Sequence, residues 1–247
     1  MEQEKFTVKF AETKEELEAT FALRYNDMIL EYNSESKNEQ NLDKNVFDDI
    51  ARQIIIINNE TKEVVGCYRL IDNAFFNNKL NSFTCEDEFN ISKIKSLGHR
   101  TCELSRAVIK KEYRTGLPLL LIWKFIYKYV MNNSIRFLLG DASFFGINPQ
   151  EHINCLSYLA HHHAINDEFE VTSLNDKPQI KLLNKEDVNL DNAKSNLPPL
   201  IKAYITFGSK FSKEYFIDRD FKSIDVFTLL DFENCNLKIL KKYLKVQ

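Results

Sequence analysis

The chain has 247 residues, a formal net charge of −3, and 44% hydrophobic against 28% charged residues, so it can bury a sizeable core and falls in the range of ordinary soluble globular proteins. The acidic balance argues against a general nucleic-acid binder, and the most apolar run, residues 117–130, is interrupted by Lys124 and Lys128 and falls short of the ~20 residues that a membrane span needs. Five widely spaced cysteines (Cys67, Cys85, Cys102, Cys155 and Cys235) include no Cys-x-x-Cys pair and read as reduced thiols of a cytoplasmic chain, and the charged residues 1–9 carry no signal-peptide pattern.

Residues 5–10 alternate and predict a first strand. Thr13 followed by Glu16 forms a capping box that starts a helix through about residue 31, with Leu17, Phe21, Tyr25 and Met28 on one face. The polar, Asn-rich residues 33–46 read as a loop. Apolar runs at 53–57 and 64–70, separated by Asn58-Asn59-Glu60-Thr61, predict a hairpin. Residues 83–97 look like an irregular connection. A central strand follows at 102–109, a helix at 118–131 and another strand at 137–142, and Pro149 opens a helix to about residue 162. Residues 169–188 offer one or two short strands. Pro198-Pro199 starts a helix stopped by Gly208, residues 224–230 form a strand, and 237–244 a closing helix. There is no internal repeat or linker, and the order of elements predicts an α/β sandwich in one domain, residues 1–247.

The most informative stretch runs from Glu103 to Gly116. A strand carrying a carboxylate and an arginine leads into Arg114-Thr115-Gly116, and Pro118 then opens a helix. That layout presents backbone N–H groups and the positive end of a helix dipole at one spot, which suits an anionic phosphate linker. Gly116 allows close backbone approach, and Arg114 can bind phosphate bidentately. Two-residue periodicity places Glu103, Ser105 and Ala107 on one face of the strand and Leu104, Arg106 and Val108 on the other, so Glu103 and Arg106 are expected to diverge. Residues 93–128 hold nine basic and two acidic side chains, an excess of seven in an otherwise acidic chain, which would attract an acidic partner or a phosphorylated ligand.

The strand, turn and helix of residues 103–131 resemble the acyl-donor motif of the GNAT acyltransferases, although the loop has one glycine where those enzymes usually carry two. Glu103-Leu-Ser-Arg-Ala-Val, Tyr113-Arg-Thr-Gly, Leu120-Leu-Ile-Trp, Leu138-Leu-Gly-Asp-Ala-Ser-Phe and Leu197-Pro-Pro-Leu-Ile-Lys-Ala-Tyr resemble, more narrowly, the ornithine acyl-[acyl-carrier-protein] N-acyltransferases, a branch often labelled hemolysin-like. The similarity continues at Asp218-x-Asp220-Phe221 and Ile224-Asp-Val-Phe227 and covers nearly the whole chain. It implies a GNAT-like mixed central sheet flanked by helices, with a C-terminal helical and strand extension. It also implies transfer of a long-chain, 3-hydroxylated or plain, acyl group from acyl-carrier protein to the α-amine of an amino acid such as ornithine, giving a lyso-aminolipid. No cofactor is implied, because acyl-carrier protein or coenzyme A delivers the acyl group as a substrate. The resemblance leaves open an association with the inner membrane surface.

On this resemblance Glu103 is the candidate proton acceptor, against the alternative of a buried ion pair with Arg24 or Arg69. Val108, Arg114, Thr115 and Gly116 would hold the pantetheine arm and its phosphate. Arg24, Asp48, Arg69, Ser105 and Arg106 would bind the acceptor, with a structural network of the first three as the alternative. The acyl-homoserine lactone synthases share these charged positions but differ at Met28 and Asn33, and they supply the alternative activity; a GNAT fold that binds acyl chains without turnover is a third. His161-His162-His163 lack a second ligand cluster, so they read as a helix-end group and not as metal ligands. An acyl tunnel is sought among the aromatics between Trp123 and Phe145.

Overall fold

The computed structural model describes residues 5–175 and 179–246; part of the charged N-terminal stretch and of the segment 169–188 lies outside the described residues. In chain order the elements are β1 (Phe6–Phe10), α1 (Lys14–Arg24), a π-helical turn (Tyr25–Ile29), α2 (Leu30–Tyr32), β2 (Arg52–Asn58), β3 (Val64–Asp72), β4 (Phe89–Asn90), α3 (Ser92–Ser96), β5 (Thr101–Ile109), α4 (Leu117–Asn132), β6 (Phe137–Phe145), α5 (Ile153–His162), β7 (Thr172–Ser173), α6 (Leu190–Asn196), α7 (Pro199–Phe207), β8 (Lys210–Asp218), β9 (Ser223–Asp231) and α8 (Leu237–Leu244). No described helix is long and apolar enough to cross a membrane.

The chain divides into two compact units, the first formed by Met1–Ser82, Cys102–Ile135 and Leu244–Gln247, the second by Phe83–Thr101 and Arg136–Tyr243. In the first unit β1, β2, β3 and β5 pair antiparallel in that order. All of β3 is buried, as are Ile54, Ile55 and Ile56 of β2, which is why these strands read as continuous apolar runs: both of their faces are covered. Residues directly opposite in an antiparallel pair share a face. Phe10 opposes Ile54, Ile54 opposes Tyr68, and this face meets α4 through Phe10–Phe125, Phe10–Tyr129 and Tyr68–Trp123 ring contacts. Gln53 opposes Arg69, Arg69 opposes Ser105, and this face meets α1, whose Arg24 reaches Gln53. The two helices therefore cover opposite faces.

The start of α1 is as expected: Glu16 N–H donates to Thr13 Oγ1 at 3.2 Å, and Thr13 N–H donates back to Glu16 Oε2 at 3.3 Å. The expected continuous helix to residue 31 instead widens into the π-helical turn before α2. β5 departs more sharply from expectation. Its register with β3 slips by one residue between Ser105 and Val108, so that Arg106 and Ala107 together oppose Tyr68, and Arg106 adopts a left-handed φ of 53°. This β-bulge breaks the simple alternation. It turns Arg106 to the face of Glu103 and Ser105, and Val108, opposite Cys67, joins the same face. The expected divergence of Glu103 and Arg106 is thereby corrected.

In the second unit β6, β9 and β8 pair antiparallel, with a small β4–β7 ladder beside them. β8 had no counterpart among the expected strands. A bulge between Phe211 and Tyr215 spoils its periodicity, and Ser212 Oγ fills the gap by donating to Glu214 O and accepting from Phe227 N–H. Gly208 ends α7 in a left-handed conformation, φ 94°, as a glycine stop should. The short α3 and α6 were likewise unexpected, since each spans too few residues to show a helical period.

Candidate active site

The face of the first unit covered by α1 carries a dense set of charges that includes the expected acceptor residues. Arg24 is fully buried. Its Nε donates to Asp43 Oδ2 at 2.7 Å, and its Nη1 and Nη2 donate to the two carboxylate oxygens of Asp48 at 2.8 and 3.3 Å. Gln53 Nε2 and the Asn45 N–H also donate to Asp48. Arg69, equally buried, donates to Ser105 Oγ and Asn45 Oδ1, both at 3.0 Å, and lies 3.7 Å from Asp48. Arg106 Nε reaches Asp43 Oδ2 at 2.9 Å. Asp43 thus bridges two guanidiniums, and the bulge in β5 is what brings the second one to it.

Burial disfavours the charged form of Asp43, Asp48, Arg24 and Arg69, but the pairings outweigh it for the first three. Burial works against the Asp43 carboxylate, yet Arg106 and Arg24 hold its pKa below the usual value; burial works against Asp48 in the same way and Arg24 and Arg69 hold it down. Burial also opposes the Arg24 cation, while Asp43 and Asp48 carry its pKa upward. Arg69 has the least compensation: burial, then Arg106 and Arg24, lower it to about 10, with Asp48 and Glu103 acting the other way. Beneath the network, burial pushes the Cys67 thiol up to about 12, so it is an inert hydrophobe with no nucleophilic role.

Exposure sorts the set. Arg24, Arg69 and Asp48 side chains are wholly buried, whereas Asp43 is 11% and Arg106 25% exposed, and Ser105 is half-buried. The outward-facing members are Arg106, Ser105 and Asp43; the rest hold them in place. Glu103 is fully buried on the same face of β5, opposite Ile71 and two residues from Ser105. Its nearness to Arg69 is felt in that group's pKa. Sequence reasoning missed Asp43, Asn45 and Gln53. The first two sit in what reads as a plain Asn-rich loop, though the Asn45 to Asp48 spacing is itself a capping-box signal.

Past β5 the chain turns through Arg114 into α4. Gly116 caps the helix at φ 87°, and a side chain there would meet nothing within 4 Å, so this backbone is open to a ligand. Leu117 and Leu119 bring first-turn N–H groups that have no intrahelical acceptor, while Pro118 brings none. Arg114 is not turned toward this opening. Its Nη1 and Nη2 donate to the Glu31 carboxylate at 2.9 and 2.6 Å, and its Nε donates to Ile109 O. The hydrogen bond from Arg114, against the effect of burial, lowers the Glu31 pKa. A cavity of about 660 Å³ runs beside α1 and the β2–β3 hairpin, with Glu15, Glu16, Asp27 and Glu63 against Lys62 and Lys110 in its wall. That carboxylate excess suits a cation better than a fatty tail.

The basic stretch 93–128 is partly neutralised at home: Lys95 pairs with Glu86, Lys110 with Glu63, Arg114 with Glu31 and Arg106 with Asp43. Trp123, Phe125 and Tyr129 pack inward on Tyr68 and Phe10. The histidines go separate ways: His161 contacts Leu183 O, His163 the Tyr158 hydroxyl, and His162 stacks on the Tyr158 ring. The three lie at the C-terminal end of α5, where burial lowers the pKa of both His162 and His163.

The mixed sheet flanked by helices, with an open glycine-capped helix after a bulged strand, is the GNAT-like α/β fold expected from the sequence. The family model described as Acetyltransferase (GNAT) domain matches residues 23–124, the segment that holds the charged network and the Arg114 turn. An L-ornithine Nα-acyltransferase of Brucella abortus is 28% identical over 96% of this chain and 88% of its own length. The enzyme of the same name from Rhodobacter capsulatus is 28% identical over 92% and 90%. Among solved structures, FeeM, an N-acyl amino acid synthase from uncultured soil microbes, superimposes with a TM-score of 0.53 at 9% identity over 93% of this chain and 91% of that one. The coenzyme A-dependent acyl-homoserine lactone synthase BjaI gives 0.53 at 11% identity over 94% and 83%. At those identities the structures establish the fold alone.

Proposed function

We propose that the protein transfers a long-chain acyl group from acyl-carrier protein to the α-amine of ornithine. The named activity of the sequence relatives supports the acceptor, and the arrangement on β5 supports the chemistry. The observation that carries the reading is the bulge at Arg106: one strand presents a guanidinium, a hydroxyl and a carboxylate on one face and then runs directly into the open helix start at Gly116. An amino acid needs a cation for its carboxylate, and Arg106 is the outermost cation of the network. The α-ammonium must lose a proton before its nitrogen can attack the thioester carbonyl carbon, and Glu103 is the acceptor assigned to it. The new C–N bond forms as the C–S bond breaks, and the thiolate leaves with a proton. Arg24, Asp48 and Arg69 hold this outer layer and do not touch substrate.

At the donor end, the pantetheine phosphate would sit against Gly116 and the Leu117 and Leu119 amides, with Val108 and Thr115 along the arm, and would draw Arg114 away from Glu31. An acidic carrier protein would also be attracted by the remaining basic side chains, so donor affinity should fall as salt rises.

The test is incubation of purified protein with acyl-carrier protein loaded with a 3-hydroxyacyl group and with L-ornithine or S-adenosylmethionine, followed by mass analysis. N-acylornithine is expected. A lactone product would transfer the protein to the signal synthases, and no product with any acyl thioester would leave only acyl binding. Glu103→Gln should lower kcat by about 10²–10⁴, whatever the accompanying loss of stability. Full turnover in a less stable Glu103→Gln protein would make Glu103 an ion partner of Arg69 only.

A further inference from the structure

We infer that the closing helix α8 is a docking surface for an anionic lipid bilayer. The helix buries Leu240 and Leu244, at 1% and 0% exposure, so its opposite side must face outward. On an α-helix residues four apart stack in rows. Ile239 and Tyr243 form one outward row, exposed at 50% and 46%, and Lys238 and Lys242 form the row beside it, both exposed. Lys241 is half-buried at the margin, and Lys245 follows one residue past the helix. No acidic residue occurs between Asn234 and Val246. Among the described residues, none of Lys238, Lys241 and Lys242 makes an ion pair, in contrast to Lys95 and Lys110. Tyr243 is held by an edge-on contact with Phe207 of α7, ring centres 5.1 Å apart, which fixes the aromatic ring at the border of the exposed side.

An apolar pair flanked by unpaired lysines on one side of a helix is the composition that lies in a bilayer interface. The aliphatic and aromatic groups enter the headgroup boundary while the lysines meet lipid phosphates. Each lysine near an anionic surface adds about 1 kcal/mol, roughly a fivefold gain in partitioning, so three supply about 100-fold. One short helix with two apolar anchors gives reversible attachment only. This surface goes beyond the proposed activity and rests on it for one point alone: an N-acylated amino acid is a membrane-soluble product, and an enzyme held at the bilayer releases it where it dissolves.

The experiment is sedimentation of the full chain with vesicles of phosphatidylcholine alone or mixed with phosphatidylglycerol, at low and high salt. Binding to the mixed vesicles is expected, with release by salt. The triple variant Lys238→Gln, Lys241→Gln, Lys242→Gln should bind about 100-fold more weakly, and Ile239→Ser with Tyr243→Ser should also bind weakly. None of the five positions belongs to the core, four being exposed and Lys241 half-buried at the margin, so melting temperatures should hold. Transfer to ornithine from a soluble donor, without vesicles, should be unchanged in both variants. Wild-type protein that ignores anionic vesicles, or variants that bind them as wild type does, would overturn the proposal. So would loss of binding to purified acyl-carrier protein in the triple variant with vesicle binding intact, since the surface would then be a protein dock. Vesicle binding in a protein that transfers nothing would instead refute the activity and leave this surface standing.

Discussion

Asp48 is the hinge of the buried network, and Asp48→Asn tests it most directly. The substitution keeps the shape but removes a charge that accepts from Arg24, Gln53 and Asn45. Three guanidiniums and two carboxylates of the network become three and one, with Arg24 and Arg69 unable to reach water. Removing one partner of a buried ion pair costs about 3–5 kcal/mol. The asparagine oxygen can still accept one or two of the original hydrogen bonds, which places the expectation near 3 kcal/mol. That is a large part of the roughly 5–15 kcal/mol that stabilises a folded domain. With a urea dependence of about 3 kcal/mol/M, the unfolding midpoint should drop by about 1 M. Combining Asp48→Asn with Arg24→Gln should cost less than the two single changes added together, by about 1–3 kcal/mol, because the orphaned cation is removed with its partner. A midpoint lowered by less than about 0.3 M, or a double variant with strictly additive losses, would refute the view that this network is one coupled unit.

The remaining expectations follow from the same geometry. Acid should unfold the protein by protonating this network: the folded pKa values of Asp43 and Asp48 lie below their unfolded values, so their contribution is complete above the ordinary aspartate pKa, is lost as pH falls through the lower folded values, and should produce a shallower acid limb in Asp48→Asn when unfolding is followed against pH. Arg114→Ala should raise the KM for the acyl donor with a smaller change in kcat, and Glu31→Gln should lower that KM by up to about fivefold, because an exposed ion pair of this kind holds the arginine with no more than about 1 kcal/mol; a raised KM in Glu31→Gln would contradict displacement of Glu31 by phosphate. Gly116→Ala should weaken donor binding through backbone strain of about 1–3 kcal/mol, since nothing crowds the site, whereas Gly66→Ala should destabilise the sheet by overpacking against the Ile109 side chain, a contrast that thermal melts beside donor KM values resolve.

Most of the architecture is legible in the chain because its signals are local. The Thr13–Glu16 box, the β2–β3 turn, the proline that opens α4 and the glycine that ends α7 each announce a boundary without help from tertiary contacts. In the strands the failures come from bulges: in β5 one extra residue throws every later side chain out of the two-residue count, whereas in β8 two extra residues break the alternation locally, around Ser212, and leave the later count intact. Ser212 supplies a hydroxyl where the ladder fails in β8, and nothing in its neighbours foretells that. The charged cluster was visible as residue types but not as a hierarchy. Which of Arg24, Asp48, Arg69 and Arg106 faces outward depends on depth beneath α1, a long-range property, and Asp43 was hidden because an aspartate in a polar loop ordinarily meets only water.

The left-handed residue in β5 implies a trade between durability and work. Excising Arg106 alone would let Ala107 pair squarely with Tyr68, leave Val108 and Ile109 in their present places, and remove the unfavourable dihedral. The shortened protein would have the more regular sheet, and Asp43 would keep only Arg24. A selection for thermal hardiness that ignores turnover should discard this residue early, and a chain that retains it is carrying a strained insertion for the sake of the one side chain it displays.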